Sequence, residues 1–300
     1  MGAFVYHRPE TVDDALALLA EHGFDAKVLA GGQSLIPMMS AGLADPAVVI
    51  DINALPGLDV VEVTGSGGEG ERQRAGGRGS VVRIGALARH RDLEHTSPAV
   101  GRAAPLLPAA AGFISHAAIR NRGTFVGSLV HADPSAEWPA VALALDAEIR
   151  LRSVRGERVV AVSDFLLGPM TTAIEPDELA VEVSLVAAGS PSGVSVQELA
   201  YRDGDYAVVG VAAQVTVSGE RVDDCRIVAF GVDATPVRAS AAEALLRDAG
   251  RAGLEDAARV ARQAAQPMSD ATASADYRSD MISVLCRRAL HEAFHRNSTI

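Results

Sequence analysis

The sequence predicts an α+β chain of two domains. Strand and helix signals alternate through the first half, a polar, glycine-rich stretch interrupts it between two strands, and in the last third strands precede helices. Three hundred residues also exceed what one compact core usually holds. The division reads as residues 1–175, in lobes of about 1–55 and 56–175, and a smaller domain of residues 176–300.

Thr11 can cap a helix with Asp13 and Asp14 in its first turn and Ala15, Leu16, Leu18 and Leu19 on one face, ended by His22-Gly23. Residues 26–30 then read as a buried strand, 34–41 as a short helix and 47–52 as a second strand. Strands at 58–64 and 81–87 flank the stretch Gly65–Ser80, which reads as a hairpin connection or an insertion. Residues 97–118 are helical in composition despite Pro105 and Pro108, and 121–134 read as a glycine-rich turn. Asp133 followed by Pro134 predicts an N-cap with proline at the first helical position, opening a helix through Val141. Strands at 148–152 and 159–162 complete the first domain. Strands at 181–186, 208–217 and 225–232 and helices at 239–249, 254–266 and 279–294 make up the second.

The net charge of −11 repels phosphate backbones and anionic lipid heads, which argues against nucleic acid and membrane surfaces as partners. No apolar run approaches the roughly 20 residues of a membrane span. Cys225 and Cys286 are too few to ligate an iron–sulfur cluster or build a disulfide framework. With no signal pattern in the first residues, the expectation is a cytoplasmic chain.

Gly65-Ser66-Gly67-Gly68-Glu69-Gly70 satisfies G-x-G-x-x-G, but the residues after it have no helical periodicity, so these glycines read as turn formers. The junction Val28-Leu29-Ala30-Gly31-Gly32-Gln33-Ser34-Leu35 has the better context, a buried strand running through two glycines into a helix. Bare backbone N–H groups there could hold an anion, with Gln33 and Ser34 adding side-chain hydrogen bonds; the same residues serve equally well as a structural turn. A second small-residue segment, Thr124-Phe125-Val126-Gly127-Ser128, leads to Asp133 and Glu137. Glu137 suits the first turn of a helix as well as it suits a ligand. Two such loops suggest a long ligand with several polar stations.

Together, AGGQSLIPMM and RNRGTFVGSLVHADPSAEWPA closely resemble the flavin-binding medium subunits of the carbon monoxide dehydrogenase and xanthine dehydrogenase family of molybdenum hydroxylases. The likeness continues through Tyr201–Ala207, Gly231–Ala239 and Ala275–Arg278, covering nearly the whole chain in order. It implies a two-lobed FAD-binding domain of the vanillyl-alcohol-oxidase (PCMH) type and a C-terminal domain of the CO dehydrogenase flavoprotein type. It implies that residues 28–35 and 124–128 hold FAD, with Gly31–Ser34 at the diphosphate, Asp133 and Glu137 near the ribityl chain and flavin, and Leu179 and Ala180 beside the isoalloxazine.

By the same resemblance the chain is an FAD-dependent oxidoreductase subunit in a hetero-oligomer. An iron–sulfur small subunit would deliver electrons from a molybdopterin large subunit, and FAD would pass them to an external acceptor. No catalytic acid, nucleophile or metal ligand is expected within the chain. Two departures stand out: Val126 replaces a glycine of the family's Thr-x-Gly-Gly, and Gln197-Glu198 occupy the neighbourhood where the family often has a basic flavin contact. They support an alternative, a stand-alone flavin-dependent oxidoreductase or oxygenase of the same fold acting on a small molecule. A scaffold that has lost its cofactor is the third reading.

Overall fold

The computed structural model describes residues 2–65, 80–188 and 191–297. Beyond Gly65, the G-x-G-x-x-G stretch lies outside the described residues.

The first lobe is a parallel sheet of β1 (Val5–His7), β2 (Ala26–Leu29) and β3 (Val48–Asp51), ordered β1-β3-β2. Helix Val12–His22 connects β1 to β2 and starts as expected, with Thr11 Oγ1 accepting the Asp14 N–H at 3.1 Å. It buries Ala15, Leu16 and Leu19, and Gly23 ends it at φ 49°. Helix Leu35–Ser40 joins β2 to β3 in a single turn and a half.

The second lobe adds the antiparallel strands β4 (Val61–Thr64), β5 (Val81–Gly85), β6 (Glu148–Ser153) and β7 (Gly156–Ala161). A small ribbon, β8 (Leu166–Gly168) and β9 (Thr171–Thr172), precedes β10 (Leu179–Val186). The sheet order is β4-β5-β10-β6-β7. The sequence reading placed β10 beyond a boundary at 175, but it is the central strand here, paired with β5 and β6 on either side. Its near-continuous burial gave no sign of which sheet it would join.

Three further expectations need correction. The helical stretch at 97–118 is three short helices, Pro98–Ala103, Leu106–Ala111 and Ala117–Arg120. Pro105 cannot continue the first of these and instead opens the second. The expected turn at 121–134 contains a helix, Phe125–His131, capped by Thr124, whose Oγ1 accepts the Gly127 N–H at 3.1 Å. Asp133 does not cap the next helix, which is Glu137–Ala144 with Ala136 at its N-cap. Asp133 Oδ1 accepts from Ser135 N at 2.9 Å, a local turn that uses up the carboxylate two residues early.

The C-terminal sheet is antiparallel: β11 (Gly193–Leu199), β12 (Val209–Ser218), β13 (Arg221–Phe230) and β14 (Val237–Arg238). Helices Ser240–Ala249, Leu254–Ala261 and Ala275–Asn297 cover one face. Alternation along β12 explains why its apolar residues occupy both faces. Val211, Ala213 and Val215 join the helix-covered core, while Ala212, with Val194, Val228 and Phe230, joins the core of the second lobe around Trp138. Both faces of this sheet are buried.

Candidate functional site

The first turn is built on close backbone contact. A β-carbon at Gly31 would lie 2.4 Å from the Arg122 carbonyl oxygen and 2.7 Å from Gly123 Cα, so this position admits only glycine. Gly32 follows at φ 74°, in the left-handed region. Gln33 Nε2 donates back to the Gly31 carbonyl at 2.9 Å. Ser34 precedes helix Leu35–Ser40 without capping it, which leaves its hydroxyl to the cleft. A six-residue helix carries little macrodipole. What the turn offers an anion is its row of N–H groups: among the described residues, those of Gly32, Gln33 and Ser34 have no acceptor.

The second turn is anchored to the segment after β5 by a short antiparallel bridge, Arg89 to Thr124. His90 N donates to Gly123 O at 3.0 Å and Phe125 N to Ala88 O at 3.1 Å. Thr124 then turns the chain into helix Phe125–His131, placing Gly127 and Ser128 on its first exposed turn.

These elements wall a cleft of about 500 Å³, within the range of small-molecule sites. Of the residues expected at the site, Val28, Ala30, Gly31, Gly32, Gln33, Ser34 and Leu35 line it on one side. Thr124, Val126, Gly127, Ser128 and Glu137 line the other, and Leu179 and Ala180 border it from β10. Leu29, Phe125 and Asp133 do not line it. Phe125 is wholly buried with its ring 5.0 Å from that of Trp138, and serves the core. Val126 borders the cleft but is only 2 % exposed and packs into the core of the second lobe.

His90 and Tyr206 are among the lining residues that escaped the sequence reading. His90 is buried, and its Nδ1 accepts the Trp138 indole N–H at 2.8 Å. Burial first, then the charges of Arg89 and Arg120, push its pKa down to about 4, so the ring is neutral and its proton sits on Nε2, beside Gly123. A lone histidine after a strand carries no signal of this. Tyr206 reaches the cleft from the loop between β11 and β12, its hydroxyl within hydrogen-bonding reach of Ser34. Burial among protein groups, and the nearby carboxylates of Asp133 and Glu137, raise its pKa to about 12, although its outer face stays open to the wide cleft. The segment Tyr201–Ala207 was marked in the sequence, yet nothing in it singled out Tyr206.

Glu137 is 5 % exposed, and its carboxyl meets its own backbone N–H but no cation and no other donor among the described residues. Burial raises its pKa to about 7, with Asp133 adding to the effect. Behind it on β11, Glu198 keeps Oε2 buried without a partner among the described residues. Burial and the neighbouring Glu137 raise its pKa to about 8. Glu198 is not part of the cleft wall, so its influence on a ligand passes through Glu137.

A nearly buried carboxyl with no donor beyond its own backbone N–H, a row of unpartnered N–H groups and a backbone approach that admits only glycine fit a ligand with both a diphosphate and polar hydrogens. FAD meets that description.

Comparison with known proteins agrees. Residues 2–185 match the family described as the FAD binding domain in molybdopterin dehydrogenase, and residues 195–293 match the CO dehydrogenase flavoprotein C-terminal domain. The 6-hydroxypseudooxynicotine dehydrogenase complex subunit alpha of Paenarthrobacter nicotinovorans is 37% identical over 98% of this chain and 95% of that one. The carbon monoxide dehydrogenase medium chain of Hydrogenophaga pseudoflava is 36% identical over 98% of each chain. In the solved structure of that organism's carbon monoxide dehydrogenase, one chain superposes with a TM-score of 0.89 over 98% of both. A chain of quinoline 2-oxidoreductase from Pseudomonas putida 86 superposes with a TM-score of 0.87 at 30% identity, over 99% of both.

Proposed function

The chain belongs to the family of FAD-binding medium subunits of the molybdenum hydroxylases, and on that footing we propose that it carries electrons inside a complex of three kinds of subunit. In this reading an iron–sulfur subunit delivers electrons that a molybdopterin subunit has taken from substrate, and this chain hands them to an external acceptor. The single observation behind it is the contact of Gly31 with the Arg122–Gly123 backbone, which brings two loops distant in sequence to one cleft that Glu137 faces.

FAD, when bound, supplies the redox chemistry. The chain's residues bind and orient it. The N–H groups of Gly32, Gln33 and Ser34 would hold the diphosphate, Ser128 and Glu137 the more polar middle of the molecule, and Leu179 and Ala180 the flavin ring. Glu137, with a pKa of about 7, can accept or donate a hydrogen bond near neutral pH. Tyr206 stays protonated, and its hydroxyl can accept from Ser34 and donate to the ligand. No residue need act as nucleophile. Substrate oxidation would occur in another polypeptide.

Among the described residues no helix is long and apolar enough to cross a membrane. Both cysteines are buried free thiols, which suits a reducing compartment, and the reading places the chain in the cytoplasm.

The test is purification from the native host, with the absorption spectrum and the co-purifying subunits recorded together. A flavin spectrum, FAD released by acid, and partners carrying a [2Fe–2S] cluster and a molybdopterin are the expected outcome. A colourless chain that takes up no FAD on reconstitution overturns the reading.

A further inference from the structure

Arg89 lies outside the wall of the cleft, yet it is tied to both of the turns that form it. Its backbone forms the bridge to Thr124. Its side chain reaches the other way. One terminal nitrogen donates to the Arg122 carbonyl at 2.5 Å, the same carbonyl that abuts Gly31. The other donates to Asn53 Oδ1 at 2.6 Å, and Asn53 Nδ2 in turn donates to the carbonyl of Ala30 at 2.8 Å, directly before Gly31. Asp51 Oδ1 fixes Asn53 by accepting from both its backbone N–H and its amide.

The guanidinium thus joins the start of the first turn to the start of the second. Both of its acceptors are neutral, and no carboxylate forms an ion pair with it among the described residues. Guanidinium groups keep their charge at any physiological pH. A positive charge, attracted from beyond pairing distance by Asp92, Asp51 and Asp59, therefore stands one carbonyl behind Gly31.

We infer that Arg89 is a positioning residue for the flavin dinucleotide: it locks the two turns in register and sets a cation behind the diphosphate station without touching the ligand. The inference rests on the FAD reading above. It adds a residue whose role the small-residue motifs do not reveal, because the arginine lies between them in sequence and behind them in space.

The experiment uses the full-length chain, stripped of flavin, with the variants Arg89→Met, Arg89→Lys and Asn53→Ala. FAD affinity is read by fluorescence titration, and folding by circular dichroism and melting of the flavin-free forms. Arg89→Met is expected to weaken FAD binding at least tenfold, Asn53→Ala by severalfold, and Arg89→Lys, which keeps the charge and one donor, to stay within about threefold of wild type. Rescue by lysine separates positioning by a cation from simple filling of space. Should Arg89→Met not fold, a severalfold loss in a folded Asn53→Ala protein supports the link, and unchanged affinity there overturns it. Arg89→Met binding within twofold of wild type, or Arg89→Lys as weak as Arg89→Met, overturns it too. A wild-type chain that takes up no FAD defeats the functional reading instead.

Discussion

Trp138 donates its indole N–H to Nδ1 of His90 at 2.8 Å, and this one bond decides which ring nitrogen of the histidine holds its proton. The contact also links helix Glu137–Ala144 to the bridge that carries the second turn. Replacing His90 with Leu strands a buried N–H, at a cost of about 1–3 kcal/mol. The expected result is a melting temperature several degrees lower at pH 7. The pH dependence has a definite sign. With its folded pKa near 4 against an ordinary 6.5, His90 withholds a proton that the unfolded chain binds, so wild-type stability falls as pH drops through that window. The variant should lose that part of the slope between pH 7 and 5, read by thermal melting.

Gly31→Ala sets a methyl group against the Arg122 carbonyl and Gly123 Cα, both backbone atoms that cannot swing aside. The turns must part. FAD affinity is expected to fall at least tenfold by flavin titration. Gly112→Ala, where a β-carbon meets nothing within 4 Å, should bind as wild type and serves as the control.

Glu137 gives the opposite pH dependence to His90. Its folded pKa of about 7 exceeds the ordinary 4.5, so the folded chain holds a proton that the unfolded chain has released, and stability falls as pH rises from about 4.5 to 7. Glu137→Gln removes the charge that must otherwise be buried. The flavin-free variant should gain on the order of 2–3 kcal/mol at pH 8 and almost nothing at pH 4. A denaturant titration at both pH values checks it. Equal effects at the two would rule out buried ionisation as the cause.

Arg278 ties the terminal helix to the C-terminal sheet. It is 6 % exposed and donates to the carbonyls of Val208 and Gly231, each at 2.7 Å, and to Asp270 at 2.6 Å. Arg278→Met leaves two carbonyls without this donor and should cost about 3 kcal/mol. Arg278→Lys should recover only part, since an ammonium lacks the planar fork that reaches all three acceptors. Chemical denaturation of the two variants beside wild type measures both effects.

The glycine turn at Gly31–Gly32 was legible because strand, bare backbone and following helix leave consecutive marks in sequence. The gathering of Ser34, Ser128, Glu137 and Ala180 at one cleft was legible only through resemblance, since each stands on a different element. Asp133 misled because a cap and a local turn use the same carboxylate in the same way, and only the path of the chain after Pro134 tells them apart. Tyr206 and His90 owe their places to pairings far along the chain, with Ser34 and Trp138, that no local pattern encodes. Strand β10 was found but placed beyond the domain boundary, because a largely buried strand with only Glu182 and Ser184 polar does not show which sheet it joins.

The C-terminal sheet, apolar on both sides, ties the two recognisable sequence modules into one inheritance. Neither can be cut free without baring a greasy plane, so a gene that broke between them would yield two halves that stick to anything before they found each other. Strands whose own residues stay out of the cleft thereby help to hold the helix that carries Glu137.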